Sequence, residues 1–145
     1  VDVAQVAAQA VEAYLPAAEQ GGRRLSFMAK GAHLVVGDAT LLSQLVANII
    51  DNGLCHTPPG SMIDIEVSSS QGHVQLVIRD DGEGIPEDEI ANLTKRFYRI
   101  DGSRTQGGTG LGLALAAAIA ELHGAALVIR NSHPGLQVEL RLAEA

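Results

Sequence analysis

The sequence predicts an α+β layer structure: a mixed, mostly antiparallel sheet packed against three helices. Three observations carry this. Segments 2–19, 39–55 and 111–123 repeat apolar residues at helical spacing. Most other apolar residues alternate with polar ones in short runs, as half-buried strands do. These runs mostly stand as neighbours joined by short turns, which favours antiparallel pairing with the helices gathered on one face.

The first helix rests on Val3, Val6, Ala7, Ala10, Val11, Tyr14 and Leu15, and "EQGGRR" ends it. "RLSFMA" and "HLVVG" read as two short strands. Asp38 is a suitable N-cap for the helix over 39–55, which "HTPPG" stops. "SMIDIEVSS" and "HVQLVIRD" alternate and read as a hairpin around a short turn. "DDGEGIP" is turn chemistry, and Pro86 with its following acids predicts a short helix over 87–97. Residues 98–110 are polar and Gly-rich, as a loop would be. The third long helix, 111–123, is closed by Gly124. "AALVIRN" and "LQVELRL" give two last strands around "SHPG".

The chain has 145 residues, the usual size of one domain, and 46% are apolar, enough for one core. Trp is absent, so that core must come from Leu, Ile, Val and Ala. No apolar run is long enough to span a bilayer, and the start has no signal-peptide pattern. It also lacks Met and is read as a piece of a longer protein. One cysteine, Cys55, excludes an internal disulfide and fits a reducing compartment. The net charge of −7 argues against nucleic acid as a partner. Yet Lys95, Arg96, Arg99 and Arg104 cluster, which would attract a small anion or simply form a solvated loop.

Three groups carry possible chemistry. On helix 39–55, Asn48 and Asn52 stand one turn apart on one face. Asn competes for backbone hydrogen bonds and is poor inside helices, so the pair is either a polar stripe or an oxygen-donor set suited to Mg²⁺. After a strand, Asp80-x-Gly82-x-Gly84 is either an ordinary Asp-Gly turn or an acceptor for an exocyclic amine beside backbone that a ligand can approach. Gly108, Gly110 and Gly112 open the third helix. Their spacing fits neither the dinucleotide fingerprint nor a Walker A loop. A Gly-rich helix N-terminus still offers free N–H groups and a positive dipole end to phosphate.

Taken in order, these groups resemble the ATP-binding catalytic domain of sensor histidine kinases, in the gyrase, heat-shock chaperone, histidine kinase and MutL-like ATPase superfamily. "VANIIDNGLCHTPPG" resembles its N box, "RDDGEGIP" its first glycine box, "LTKRFYRID" its F box, and "GGTGLGLALAAAIAELHGAAL" its second glycine box and helix. The match runs over roughly residues 22–143. The resemblance implies a two-layer α/β sandwich of the Bergerat type, forming a single domain over 1–145, with Mg²⁺ and ATP held between helices under a lid at about 101–107. It implies that Asn52 coordinates Mg²⁺ with Asn48 in support, and that Asp80 accepts the adenine amine. Gly82, Gly84 and Ile85 would border the base, and Arg99 would reach the terminal phosphate. Gly108, Thr109, Gly110, Leu111 and Gly112 would form the lid hinge and phosphate edge.

It further implies transfer of the terminal phosphoryl group to a histidine on a separate dimerisation domain, with a response regulator downstream. The parent would be a membrane-bound bacterial sensor kinase with this domain in the cytoplasm and not itself touching the membrane. None of the five histidines stands in the family's phosphoacceptor context, and "ELHG" gives His123 a packing or capping role. Cys55 stands where Lys is common, His56 where an aromatic is common, and Thr94 where the F box has its first Phe. The hydrolytic branch carries a Glu four residues before the metal-binding Asn. Asn48 stands there and is a poor general base. The other alternative is a degenerate nucleotide-binding or interaction module.

Overall fold

A computed structural model describes residues 1–94 and 112–145. Helix α1 (Val3–Gln20) leads to strand β1 (Arg24–Ala29), helix α2 (Ala39–Cys55) and strands β2 (Met62–Ser70) and β3 (His73–Asp80). The short helix α3 (Glu87–Ile90) follows, then α4 (Gly112–Leu122), β4 (Leu127–Asn131) and β5 (Leu136–Ala143). The strands form one sheet in the order β1-β2-β3-β5-β4. Among the described residues only β1 and β2 pair in parallel, and α2 supplies the long connection that parallel neighbours require. The other three pairings are antiparallel. The mixed, mostly antiparallel sheet read from the sequence is therefore the one observed.

Register explains the core. Phe27, Ile65, Ile78, Val138 and Ile129 lie across five strands in one row. Val67, Leu76, Leu140 and Leu127 form the next row. Side chains alternate faces along a strand, so both rows point the same way, and α1, α2 and α4 contribute to the same buried cluster. The opposite face carries polar pairs instead. Arg79 donates to Gln137 at 2.8 and 3.0 Å, Gln75 to Glu139 at 2.6 Å, and Arg130 pairs with Glu139 at 3.1 Å.

The helix ends follow their signals. Asp38 Oδ1 accepts the Leu41 N–H at 2.9 Å and caps α2. Asp38→Ala is expected to cost about 1 kcal/mol of folding free energy. Urea unfolding would read this as a lower midpoint, and an unchanged midpoint would mean the cap contributes nothing. At the far end of α4, the Ala125 N–H donates to Ala120 O at 2.9 Å around Gly124.

Two expectations are corrected. "HLVVG" is not a strand. Leu34 and Val35 make one isolated bridge each, to Asp2 and to Glu144. The segment is pinned on two sides, with Val35 N–H on Val1 O and Ala145 N–H on Leu34 O, both at 2.8 Å, so neither side extends into a ladder. The helix expected over 87–97 ends its α-helical part at Ile90. Three acids in the first turn favour its start. Beyond it Asn92 and Leu93 donate three residues back, to Glu89 O and Ile90 O, so the chain continues as turns through Thr94. Residues 95–97 lie outside the described residues.

Candidate functional site

Two carboxylates stand at and just past the end of β3, Asp80 and Asp81, and they serve different partners. Asp81 is exposed, and its Oδ1 accepts the Met62 N–H at 2.8 Å, closing the end of the β2–β3 ladder. Asp80 is half-buried. Its Oδ1 accepts two backbone N–H groups, from Gly82 at 3.0 Å and from Leu136 at 3.2 Å. Neither of these bonds falls on Oδ2. Asp80 is thus a fixed carboxylate with one oxygen anchored by the chain itself.

Burial pushes the Asp80 carboxyl above its ordinary value, and Asp81 adds to the rise. The Gly82 and Leu136 N–H groups, and the nearby His56, pull it back. The sign for stability follows. A carboxyl raised in the folded state binds its proton more tightly there than in the unfolded chain. Its contribution to stability is therefore full below the ordinary value and is lost as pH rises through the raised one. Against Asp80→Asn, which has no proton to lose, the wild type should weaken as pH rises from the ordinary carboxylate value through the raised one. Urea midpoints of both proteins across that range check this. A wild type that gains on the variant with rising pH would contradict it.

Helix α2 runs beside this carboxylate. Asn48 Oδ1 accepts from Gln44 Nε2 at 3.2 Å, so the amide oxygen is already engaged. Its Nδ2 is buried and, among the described residues, has no hydrogen-bond partner. A buried donor left unpaired costs free energy, and a ligand acceptor would recover it. Asn52, one turn on, is half-buried. The backbone of Gly112 opens α4 against Asn48, where an added Cβ would stand 3.9 Å from Asn48 O, an ordinary contact. The Asn-bearing stretch of α2 and the start of α4 are therefore brought together. Arg99, Gly108, Thr109, Gly110 and Leu111 lie outside the described residues.

Past the end of α2, Thr57 links helix and loop. It is buried, and its hydroxyl donates to Gly53 O at 2.8 Å. Arg23 Nε donates to Thr57 O at 2.9 Å and to Oγ1 at 3.2 Å. The Thr57 methyl backs onto Gly82, where a Cβ would come within 3.1 Å of it. Cys55 brings no charge to the site. Burial raises its thiol, Asp51 adds to the rise and Arg23 opposes it, so the thiol stays protonated at neutral pH.

The β4–β5 hairpin was read from the sequence, but its hold on the candidate site was not. The Asn131 carboxamide accepts the Ile85 N–H at 2.9 Å and donates to Ile85 O at 2.7 Å, the double bond of a strand rung made by one side chain. Its Nδ2 also reaches Glu87 Oε1 at 3.0 Å. Gly84 has φ +79°, and a Cβ there would stand 2.7 Å from Asn131 Oδ1. Gly135 lies tighter still against the Asp80 backbone. The Pro-Gly turn offered a local hint of Gly135. Asn131 offered none.

The family model described as histidine kinase-, DNA gyrase B- and HSP90-like ATPase matches residues 37–145, well over half of the chain. The chain belongs to this family. Asn48, Asn52, Asp80, Gly82 and Gly84 all fall within the matched residues. A signal transduction histidine-protein kinase/phosphatase, MprB, from Mycobacterium sp. (strain KMS) is 38% identical over 102 residues. That match takes in 70% of this chain but 20% of the relative. The signal transduction histidine-protein kinase BaeS of Escherichia coli K12 is 35% identical over 126 residues, or 83% of this chain and 27% of BaeS. Among solved structures, a mycobacterial sensor histidine kinase MprB superposes with a TM-score of 0.86 at 28% identity. That superposition covers 99% of this chain and 97% of the solved one. The ATPase domain thus spans about a fifth to a quarter of the two curated relatives' length. Among its described residues, no helix is long and apolar enough to cross a membrane.

Proposed function

We propose that the 145 residues form one ATP-binding catalytic domain of a sensor histidine kinase. It binds Mg-ATP and passes the terminal phosphoryl group to a histidine on a separate dimerisation domain. The observation that carries this reading is the Asp80 carboxylate. Two backbone donors hold its Oδ1, which leaves Oδ2 to accept the exocyclic amine of adenine. Gly82, Gly84 and Ile85 border the base. The buried Nδ2 of Asn48, unpaired among the described residues, supplies a donor for a ligand oxygen, and the Asn52 carboxamide oxygen is a suitable Mg²⁺ ligand. When bound, Mg²⁺ neutralises charge on the phosphates.

The remaining roles rest on the resemblance. Arg99 reaches the terminal phosphate, and Gly108, Thr109, Gly110, Leu111 and Gly112 serve as the hinge and phosphate edge of a lid. The work of this chain is to bind, orient and exclude water, because phosphoryl transfer needs positioning and electrostatics more than covalent chemistry. Its partners are then the phosphoacceptor domain of its parent and a response regulator, with no nucleic acid. The parent is a membrane-bound bacterial kinase, with this domain in the cytoplasm. Asn48 in the place of a general base disfavours the hydrolytic reading.

Calorimetric titration with ATP, with and without Mg²⁺, tests the binding. Labelled ATP with the parent's phosphoacceptor domain tests the transfer. Mg²⁺-dependent binding and labelling of that domain are expected. A well-folded protein that binds no ATP would overturn the proposal, and rapid hydrolysis without transfer would favour the hydrolytic alternative.

A further inference from the structure

Asp80 and Ile85 lie at the two ends of one loop, and a single rung of the β4–β5 hairpin holds both. Asn131 and Leu136 are register partners in that hairpin. From one side of the rung the Leu136 N–H reaches Asp80 Oδ1 at 3.2 Å. From the other, the Asn131 carboxamide grips the Ile85 N–H and C=O at 2.9 and 2.7 Å. The turn beyond is locked by Ser132 N–H on Gly135 O and by Ser132 Oγ on Pro134 O, both at 2.9 Å. A surface recess of about 490 Å³ opens beside Gly84 and Ile85, lined also by Glu83, Glu87 and His133. Ile85 packs at the edge of the core, and the carboxamide adds a directional hold on its backbone.

We propose that Asn131 is a positioning residue for base selection: the Asn131–Leu136 rung fixes the separation of Asp80 and Ile85, and so the aim of the Asp80 carboxylate. This rests on the reading of Asp80 as the acceptor of the adenine amine. The Asn131 carboxamide is engaged by Ile85 and Glu87, so its role is to act through the loop. A hydrogen-bonded amine contact is sensitive to small displacements, whereas contacts to the phosphates are made elsewhere. Loosening the rung should thus weaken recognition of the amine and spare the rest of the nucleotide.

The test compares ATP with inosine triphosphate (ITP), which carries a carbonyl where ATP has its amine, by calorimetric titration of the 145-residue chain. Asn131→Ala is expected to lower the ATP-over-ITP preference about tenfold, mostly through weaker ATP binding. In an Asp80→Asn background the same change should no longer lower the ratio and should instead weaken ITP more than ATP, because the carboxamide that then faces the base is aimed by the same rung. Equal losses for ATP and ITP, or a lower melting midpoint with an unchanged ratio, would overturn the inference and leave Asn131 a purely structural residue. If Asn131→Ala does not fold, Asn131→Ser, which can serve only one of the two Ile85 groups, is held to the same criteria. An Asp80→Asn variant that itself leaves the ratio unchanged would instead remove the reading of Asp80, and this inference with it.

Discussion

Asp80→Asn is expected to shift nucleotide preference from ATP toward ITP by about 10²-fold, or about 3 kcal/mol. The direction comes from the two N–H groups on Oδ1. In the variant they still demand an acceptor, so the carboxamide oxygen takes that place and the NH₂ group takes the place of Oδ2. An acceptor facing the base becomes a donor. It meets the adenine amine donor to donor, and it meets the inosine carbonyl as a partner. The opposite amide rotamer would set NH₂ against two N–H groups and is worse. Competition titration of the two nucleotides on wild type and variant measures the shift. A uniform loss for both would mean that Asp80 holds its loop and does not read the base.

Gly135→Ala is expected to destabilise the fold by at least about 3 kcal/mol. A methyl group at this position would stand 1.8 Å from Asp80 O and 2.6 Å from Asp80 C. Both are backbone atoms, which cannot swing aside as the tip of a long side chain can. The residue also has φ +93°, which an L side chain rarely adopts. Either the hairpin lifts away, breaking the Leu136 contact to Asp80, or β3 shifts. Urea unfolding reads the loss directly, and an unaltered midpoint would show that the hairpin does not press on Asp80 as described.

Much of the fold was legible because its signals are local. Asp38 and Gly124 mark helix ends by their own chemistry, and the alternation in "SMIDIEVSS" and "HVQLVIRD" needs only a short turn to become a hairpin. "HLVVG" shows the limit of that reasoning. Alternation records burial of His33 and Val35, but a strand also needs a neighbour that runs alongside, and here each side offers a single bridge. At the candidate site, the sequence indicated the carboxylate, the paired carboxamides and the glycines. It could not indicate Asn131, which acts on Ile85 from 46 residues away, or Thr57, whose place beside Gly82 exists only once α2 is packed on the sheet. Tertiary approach, which no local pattern encodes, selects these residues.

His123, at the end of α4, has a mechanical meaning. The Asp38 N–H can only donate, so His123 Nε2 accepts it at 3.1 Å, and the ring proton on Nδ1 goes to Ile119 O at 2.8 Å. One imidazole in one tautomer therefore rivets the tail of α4 to the head of α2. The two helices run antiparallel from that rivet, and Asn48 and Gly112 sit about 15 Å along them. The same two helices also share one buried core, so the imidazole and that packing together hold the Asn48 and Gly112 ends in register.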